Sequence, residues 1–147
     1  MADISQQMKN NSGKRRLSLN KYERVKRSKD IDYLFSEGEK LFEYPLLIWW
    51  QPKSLPTKYP AQVLVSVSKK RFKRAVDRIR IKRLLREALP QNKQPLYEKL
   101  EENQQQMLLS VVYVGKKMPS YQEIEKKIII LLHRILQVYE SGKNHTK

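Results

Sequence analysis

The chain reads as an α+β protein, a single compact domain of αββαβα order with helices packed on a sheet. Two sets of patterns carry that reading: apolar, β-branched runs at 45–52, 61–68 and 107–114, and apolar residues at helical spacing within 28–38, 75–90 and 120–139. A third observation is size, since 147 residues with 39% hydrophobic content are enough for one modest core and too few for two. Residues 1–16 are expected to form a flexible basic arm, 17–140 the folded domain and 141–147 a polar tail, and no internal repeat is present.

Each element has its own justification. MADISQQMKNNSGKRR at 1–16 is too polar to offset the entropy of its own ordering. Ser28 stands where an N-cap belongs, Ile31, Leu34 and Phe35 follow at helical spacing, and Gly38 supplies a stop. PLLIWWQP at 45–52 is aromatic and flanked by prolines, and AQVLVSVS at 61–68 alternates, so the two are expected to pair as a hairpin. Alternation puts Trp49 and Trp50 on opposite faces of their strand. In AVDRIRIKRLLREALP, residues 75–90, Ile81, Leu84, Leu85 and Ala88 share one arc, leaving Arg78, Arg80, Lys82, Arg83 and Arg86 as a cationic ridge. Pro90 is expected to end that helix, and a short one could start at Pro95. MLLSVVYV at 107–114 is apolar almost throughout, as a strand buried on both faces would be. Ser120 with Glu123 forms a capping-box pattern, and Ile124, Ile128, Leu131, Ile135 and Leu136 carry the last helix to about Tyr139.

Charge narrows the function. Lys and Arg number 31 against 15 Asp and Glu, a formal net charge of +16, which calls for a polyanionic partner. Residues 69–86 hold ten of these cations against one acid, and residues 1–30 hold nine against three. Nucleic acid is favoured over membrane, because the longest apolar runs, YPLLIWW and IIILL, fall far short of the ~20 residues a span needs. With no cysteine and no secretory segment in the first sixteen residues, a cytoplasmic location is expected.

Catalytic constellations are sparse, whereas binding chemistry is plentiful. His133 is a lone helical histidine, His145 lies in the tail, and Asp30 and Asp32 suit a helix N-terminus better than a metal. Four glycines build neither a P-loop nor a dinucleotide fingerprint. Arginines on a rigid helix meet phosphates through paired N–H donors and stack on bases, and Phe35, Trp49 and Trp50 are candidate platforms for unpaired bases. A ribosomal-type RNA binder and, far below, a metal-dependent nuclease built on Asp30 and Asp32 are open at this level, and a third function enters only with a family resemblance.

Three blocks then decide among them: RVKRSKDIDYLFSEG at 24–38, VLVSVSKKRFKRAVDRIRIKRLLREAL at 63–89 and LLSVVYVGKKMPSYQEIEKKIIILLHRIL at 108–136. In these the chain resembles the protein subunit of bacterial ribonuclease P over about residues 17–140, SVSKK followed by the AV-x-R-x-R-IKRLLRE helix being the most specific part. The resemblance implies a sheet with a left-handed βαβ crossover, an exception to the usual rule. It implies a catalytic RNA as obligatory partner, precursor tRNA as substrate, cleavage that releases the 5′ leader, Mg2+ ions bound mainly by the RNA, a protein inactive alone, and no obligate protein partner. The positions implied for RNA binding are Lys69, Lys70, Arg71, Arg74, Arg78, Arg80, Lys82, Arg83 and Arg86; those implied for the leader cleft are Ile31, Phe35 and Trp49. No metal ligand on the protein is assigned. Two departures stand out: Ile79 replaces the family's Asn between the arginines, and Ile31 replaces an aromatic.

Overall fold

The computed structural model describes Leu19, residues 23–25 and residues 27–145, the last five of these as backbone alone. The arm expected at 1–16 lies outside the described residues. Eight elements follow in order: α1 (Ser28–Glu37), β1 (Glu39–Glu43), β2 (Leu46–Pro52), β3 (Ala61–Val67), α2 (Ala75–Asn92), α3 (Gln94–Glu102), β4 (Met107–Tyr113) and α4 (Tyr121–His145). The strands make one mixed sheet in the order β1-β2-β4-β3.

Strand pairing departs from the expected hairpin. The 45–52 strand pairs antiparallel with β1 on one side and β4 on the other, while β3 lies parallel to β4. The true hairpin is β1–β2, turning at Tyr44–Pro45. EKLFE escapes sequence reading because it is a short edge strand whose charges face outward, and its one core contribution is the partly buried Leu41. Glu43 on that edge is held by Lys127 and Arg134 of α4, both at 3.3 Å.

The two faces of the sheet are covered unequally. Leu46, Ile48 and Trp50 of β2, Val63, Val65 and Val67 of β3, and Leu109 and Val111 of β4 join Ile81, Leu85 and Ala88 of α2, Leu96 and Leu100 of α3, and Ile124, Ile128, Leu131 and Ile135 of α4 in the main core. Each of those side chains larger than alanine contributes about 1.5–3 kcal/mol by leaving water. On the other face, among the described residues, α1 is the one helix that packs, setting Leu34 against Leu108 with Ile31, Tyr33, Trp49 and Leu64 around them. β4 is buried on both faces, as its composition anticipates.

Helix ends follow local chemistry, with three corrections. Arg27, not Ser28, is the N-cap of α1, and no side chain caps that end. Pro90 sits buried inside the last turn of α2 instead of ending it: one missing N–H costs one bond, and Asn92 Nδ2 donates to the Ala88 carbonyl at 2.8 Å to close the turn. α4 opens with the anticipated box, Glu123 N–H to Ser120 Oγ at 3.2 Å and Ser120 N–H to Glu123 Oε1 at 2.9 Å. It continues to His145, past the expected end near Tyr139, since no proline interrupts it.

Two devices tie the chain's early residues to this frame. Val25 N–H donates to the Val63 carbonyl at 3.1 Å, extending the sheet beyond β3. Buried Glu23 accepts from Lys93 Nζ at 2.6 Å and from the Tyr97 hydroxyl at 2.5 Å, locking that segment to the α2–α3 joint. Burial, reinforced by the Glu23 bond and charge, pushes the ionisation of Tyr97 far upward, so the phenol stays a donor.

Gly38 sets the seat of α1. Its N–H donates to the Leu34 carbonyl at 2.8 Å, and a β-carbon there would clash with that oxygen and stand 3.2 Å from the Trp50 carbonyl. Gly38→Ala is expected to lower unfolding free energy by about 1–3 kcal/mol, because neither oxygen belongs to a side chain that can move aside. Urea titration checks this; an unchanged midpoint would mean that α1 shifts freely.

Candidate nucleic-acid interface

The expected RNA-binding residues occupy one continuous stretch, the β3–α2 loop and the outward side of α2. Lys69, Lys70, Arg71, Lys73 and Arg74 are exposed on the loop, and Arg80, Arg83 and Arg86 are exposed on the helix with Lys82 half-buried. The inward side holds Ile81, Leu85, Ala88 and Leu89, so burial of that stripe fixes which way the cations point. Arg80, Lys82, Arg83 and Arg86 have no acidic partner among the described residues. The Arg86 guanidinium is held below its ordinary value by partial burial and then by the neighbouring Arg24, so two cations share that corner.

Three of the expected contacts are engaged within the protein. Arg78 donates through Nη1 to the carbonyls of Phe72 at 2.7 Å and Lys73 at 2.9 Å, cross-bracing the loop that leads into α2. Its sequence position on the ridge gave no sign of this, because the bond depends on how the loop folds back. Arg74 lies 3.9 Å from Asp77, and Arg71 donates to the Val114 carbonyl. Ile79 is 56% exposed and Val76 58%, so the helix presents an apolar patch among the arginines.

The three cleft residues do come together, on the opposite face of the sheet. Phe35 and Trp49 meet edge to face with ring centroids 5.1 Å apart, Phe35 remaining 39% exposed. Ile31 is half-buried in the same cluster, and Trp50 points into the main core, 4% exposed. Lysines rim the rings: Lys40 Nζ lies 5.1 Å from the Trp49 ring and Lys53 Nζ 5.5 Å from the Tyr33 ring. Tyr33 was missed in the sequence, because a position two residues after Ile31 points to a different side of a helix and gives no sign that both join one cluster. A shelf of aromatic surface edged by ammonium groups can stack bases and hold the phosphates between them.

A metal site finds less support. Among the described residues no three His, Cys, Asp or Glu side chains converge. Asp30 is buried 3.7 Å from Arg27, while Asp32 is exposed, so the pair does not form a shared ligand set. No helix among the described residues is long and apolar enough to cross a membrane.

Residues 19–136 match the family model for ribonuclease P. The ribonuclease P protein component of Porphyromonas gingivalis is 37% identical over 117 residues, 80% of this chain and 85% of that one. That of Chlorobium phaeobacteroides is 34% identical over 128 residues, 80% and 88% of the two chains. Among solved structures, the ribonuclease P protein from Thermotoga maritima superposes with a TM-score of 0.57 at 18% identity, covering 76% of this chain and 96% of that one, a likeness of fold.

The arginines should separate in a stability measurement. Arg78→Ala removes a charged donor from two carbonyls and is expected to cost about 1–3 kcal/mol, whereas Arg83→Ala, with nothing to break, should stay within about 0.5 kcal/mol of the parent. Thermal unfolding of the two variants side by side checks it; equal losses would mean that the Arg78 brace carries no weight.

Proposed function

The chain belongs to the ribonuclease P protein family and is a protein subunit of that endoribonuclease ribonucleoprotein, which matures the 5′ ends of tRNA; we propose that its two sheet faces divide the recognition of RNA. The α2 face, with the loop before it, holds the catalytic RNA. The α1 face holds the single-stranded 5′ leader of precursor tRNA. Cleavage of the phosphodiester belongs to the RNA and to magnesium ions bound mainly there, and the protein works in the cytoplasm by holding both RNAs in register.

The observation that carries this division is the contrast between the faces. Guanidinium groups on a rigid helix, without acidic partners among the described residues, suit the closely spaced phosphates of a folded RNA, and Arg80, Arg83 and Arg86 lie on the exposed side with Lys82 beside them. The exposed edge-to-face pair Phe35–Trp49 with Lys40 over the indole suits flat, unpaired bases. A leader base stacking on Trp49 has to displace or share Lys40, which can then follow the neighbouring phosphate. Ile31 offers contact without a stacking plane, so Phe35 and Trp49 carry most of the leader affinity.

Reconstitution tests it. With 5′-labelled precursor tRNA at low magnesium, cleavage at the mature end is expected only when protein and catalytic RNA are combined. Arg80→Ala with Arg83→Ala should weaken binding of the catalytic RNA and lower the salt slope by about 0.7–0.9 for each phosphate the variant no longer neutralises. Trp49→Ala should reduce affinity for precursor by about 1–3 kcal/mol and leave mature tRNA almost unaffected. Equal losses for precursor and mature tRNA would remove the leader from this cleft.

A further inference from the structure

The cationic surface does not stop at α2. Parallel pairing of β3 with β4 brings the loops that follow them to the same end of the sheet, and the β1–β2 turn lies there too, with Val114 N–H donating to the Pro45 carbonyl at 2.8 Å. Between that turn, the β4–α4 loop and the first turns of α4 is a groove of about 700 Å³. Its walls include Tyr44, Lys116, Lys117, Met118, Lys126 and Lys127.

We propose that this groove is a second binding site for the sugar–phosphate backbone of the catalytic RNA, continuous with the α2 ridge; the inference rests on the family reading above. Lys116, Lys117 and Lys126 are exposed and have no anionic partner among the described residues. One acid, Glu123, also lines the groove, its Oε1 accepting from the Ser120 N–H in the capping box, so the lining lysines outnumber it, and Glu43 holds Lys127 and Arg134. Tyr44 is 54% exposed and meets Phe42 edge to face, a flat surface beside the lysines on which a base or ribose can rest.

The loop is built to hold its shape. The Tyr113 hydroxyl donates to the Lys117 carbonyl at 2.6 Å, and Gly115 is needed because a β-carbon there would clash with that hydroxyl and lie 2.9 Å from Pro45 Cβ. Arg71 joins the two basic regions by donating to the Val114 carbonyl, one residue before that glycine. A backbone already fixed loses little entropy when phosphates arrive. The mixture of three free ammonium groups with an exposed tyrosine, on a chain of net charge +16, favours a nucleic acid over an acidic peptide.

The test is binding of the catalytic RNA transcript by the full chain across a series of salt concentrations. The parent is compared with Lys116→Ala/Lys117→Ala/Lys126→Ala, with Tyr44→Leu, and with Arg80→Ala/Arg83→Ala as reference. The triple variant is expected to lower the salt slope by about 2 and to weaken binding at least tenfold near physiological salt, with the ratio of precursor to mature tRNA affinity in the holoenzyme preserved. Tyr44→Leu should weaken binding about threefold or more at unchanged slope. A triple variant within twofold of the parent at every salt, while the arginine variant loses affinity, would overturn the groove and leave the family function standing. Loss of precursor selectivity with unchanged binding of the catalytic RNA would overturn the choice of occupant. Failure of the parent itself to bind the transcript would overturn both readings.

Discussion

The parallel pairing of β3 with β4 is the constraint on which the rest of the molecule depends. Val67 stands opposite Tyr113 in that register, so both strands finish at one end of the sheet and release their loops side by side. A parallel pair needs a long connection, here α2 and α3, and that connection is where most of the arginines reside. β4 can be this pivot because it is hydrogen-bonded on both sides and buried on both faces. Its apolar run therefore determines, through topology alone, that Lys69–Arg74, Lys116 and Lys117 share one edge.

Unequal covering of the sheet separates two kinds of surface. The face packed by α2, α3 and α4 buries the core-facing side chains of β2, β3 and β4 and leaves Glu39 of the edge strand exposed, so most of the open surface on that side belongs to the helices' outer faces and the loops. Among the described residues the other face has one ten-residue helix, whose Leu34 packs on Leu108 near Leu64 while the rings of Phe35 and Trp49 stay partly open. The exposed rings and the charge ridge thus lie on opposite sides of the same four strands, and the sheet holds the two surfaces at a fixed relation.

Much of this was legible in the sequence because local patterns governed it. The amphipathic arc of α2, the double burial of β4, the capping box of α4 and the opposed tryptophans all follow from periodicity of 3.6 or 2. What was not legible depends on long-range partners. β1 lacks an apolar pattern and exists because β2 and the Glu43 ion pairs with α4 hold it, and without it β2 and β3 looked like each other's neighbours. Pro90 persists inside a helix because tertiary burial outweighs one missing hydrogen bond. Among the interface residues, the ridge was visible as composition, but the inward duty of Arg78 and the aromatic Tyr33 required the fold.

Net charge ties stability to the partner. Repulsion within a domain carrying cations at this density opposes compactness, and the Arg24–Arg86 corner is one place where two guanidinium groups are held near each other. The fold accommodates them because the inward stripe of α2 is anchored by Ile81, Leu85, Ala88 and Leu89, whose burial does not depend on what the outward stripe meets. A polyanion that binds the folded chain and not the unfolded one relieves that repulsion and adds stability in proportion to the logarithm of its concentration. The same anchoring explains how Ile79 can stand 56% exposed amid the arginines: one apolar group left at the surface costs little while the inward stripe stays buried.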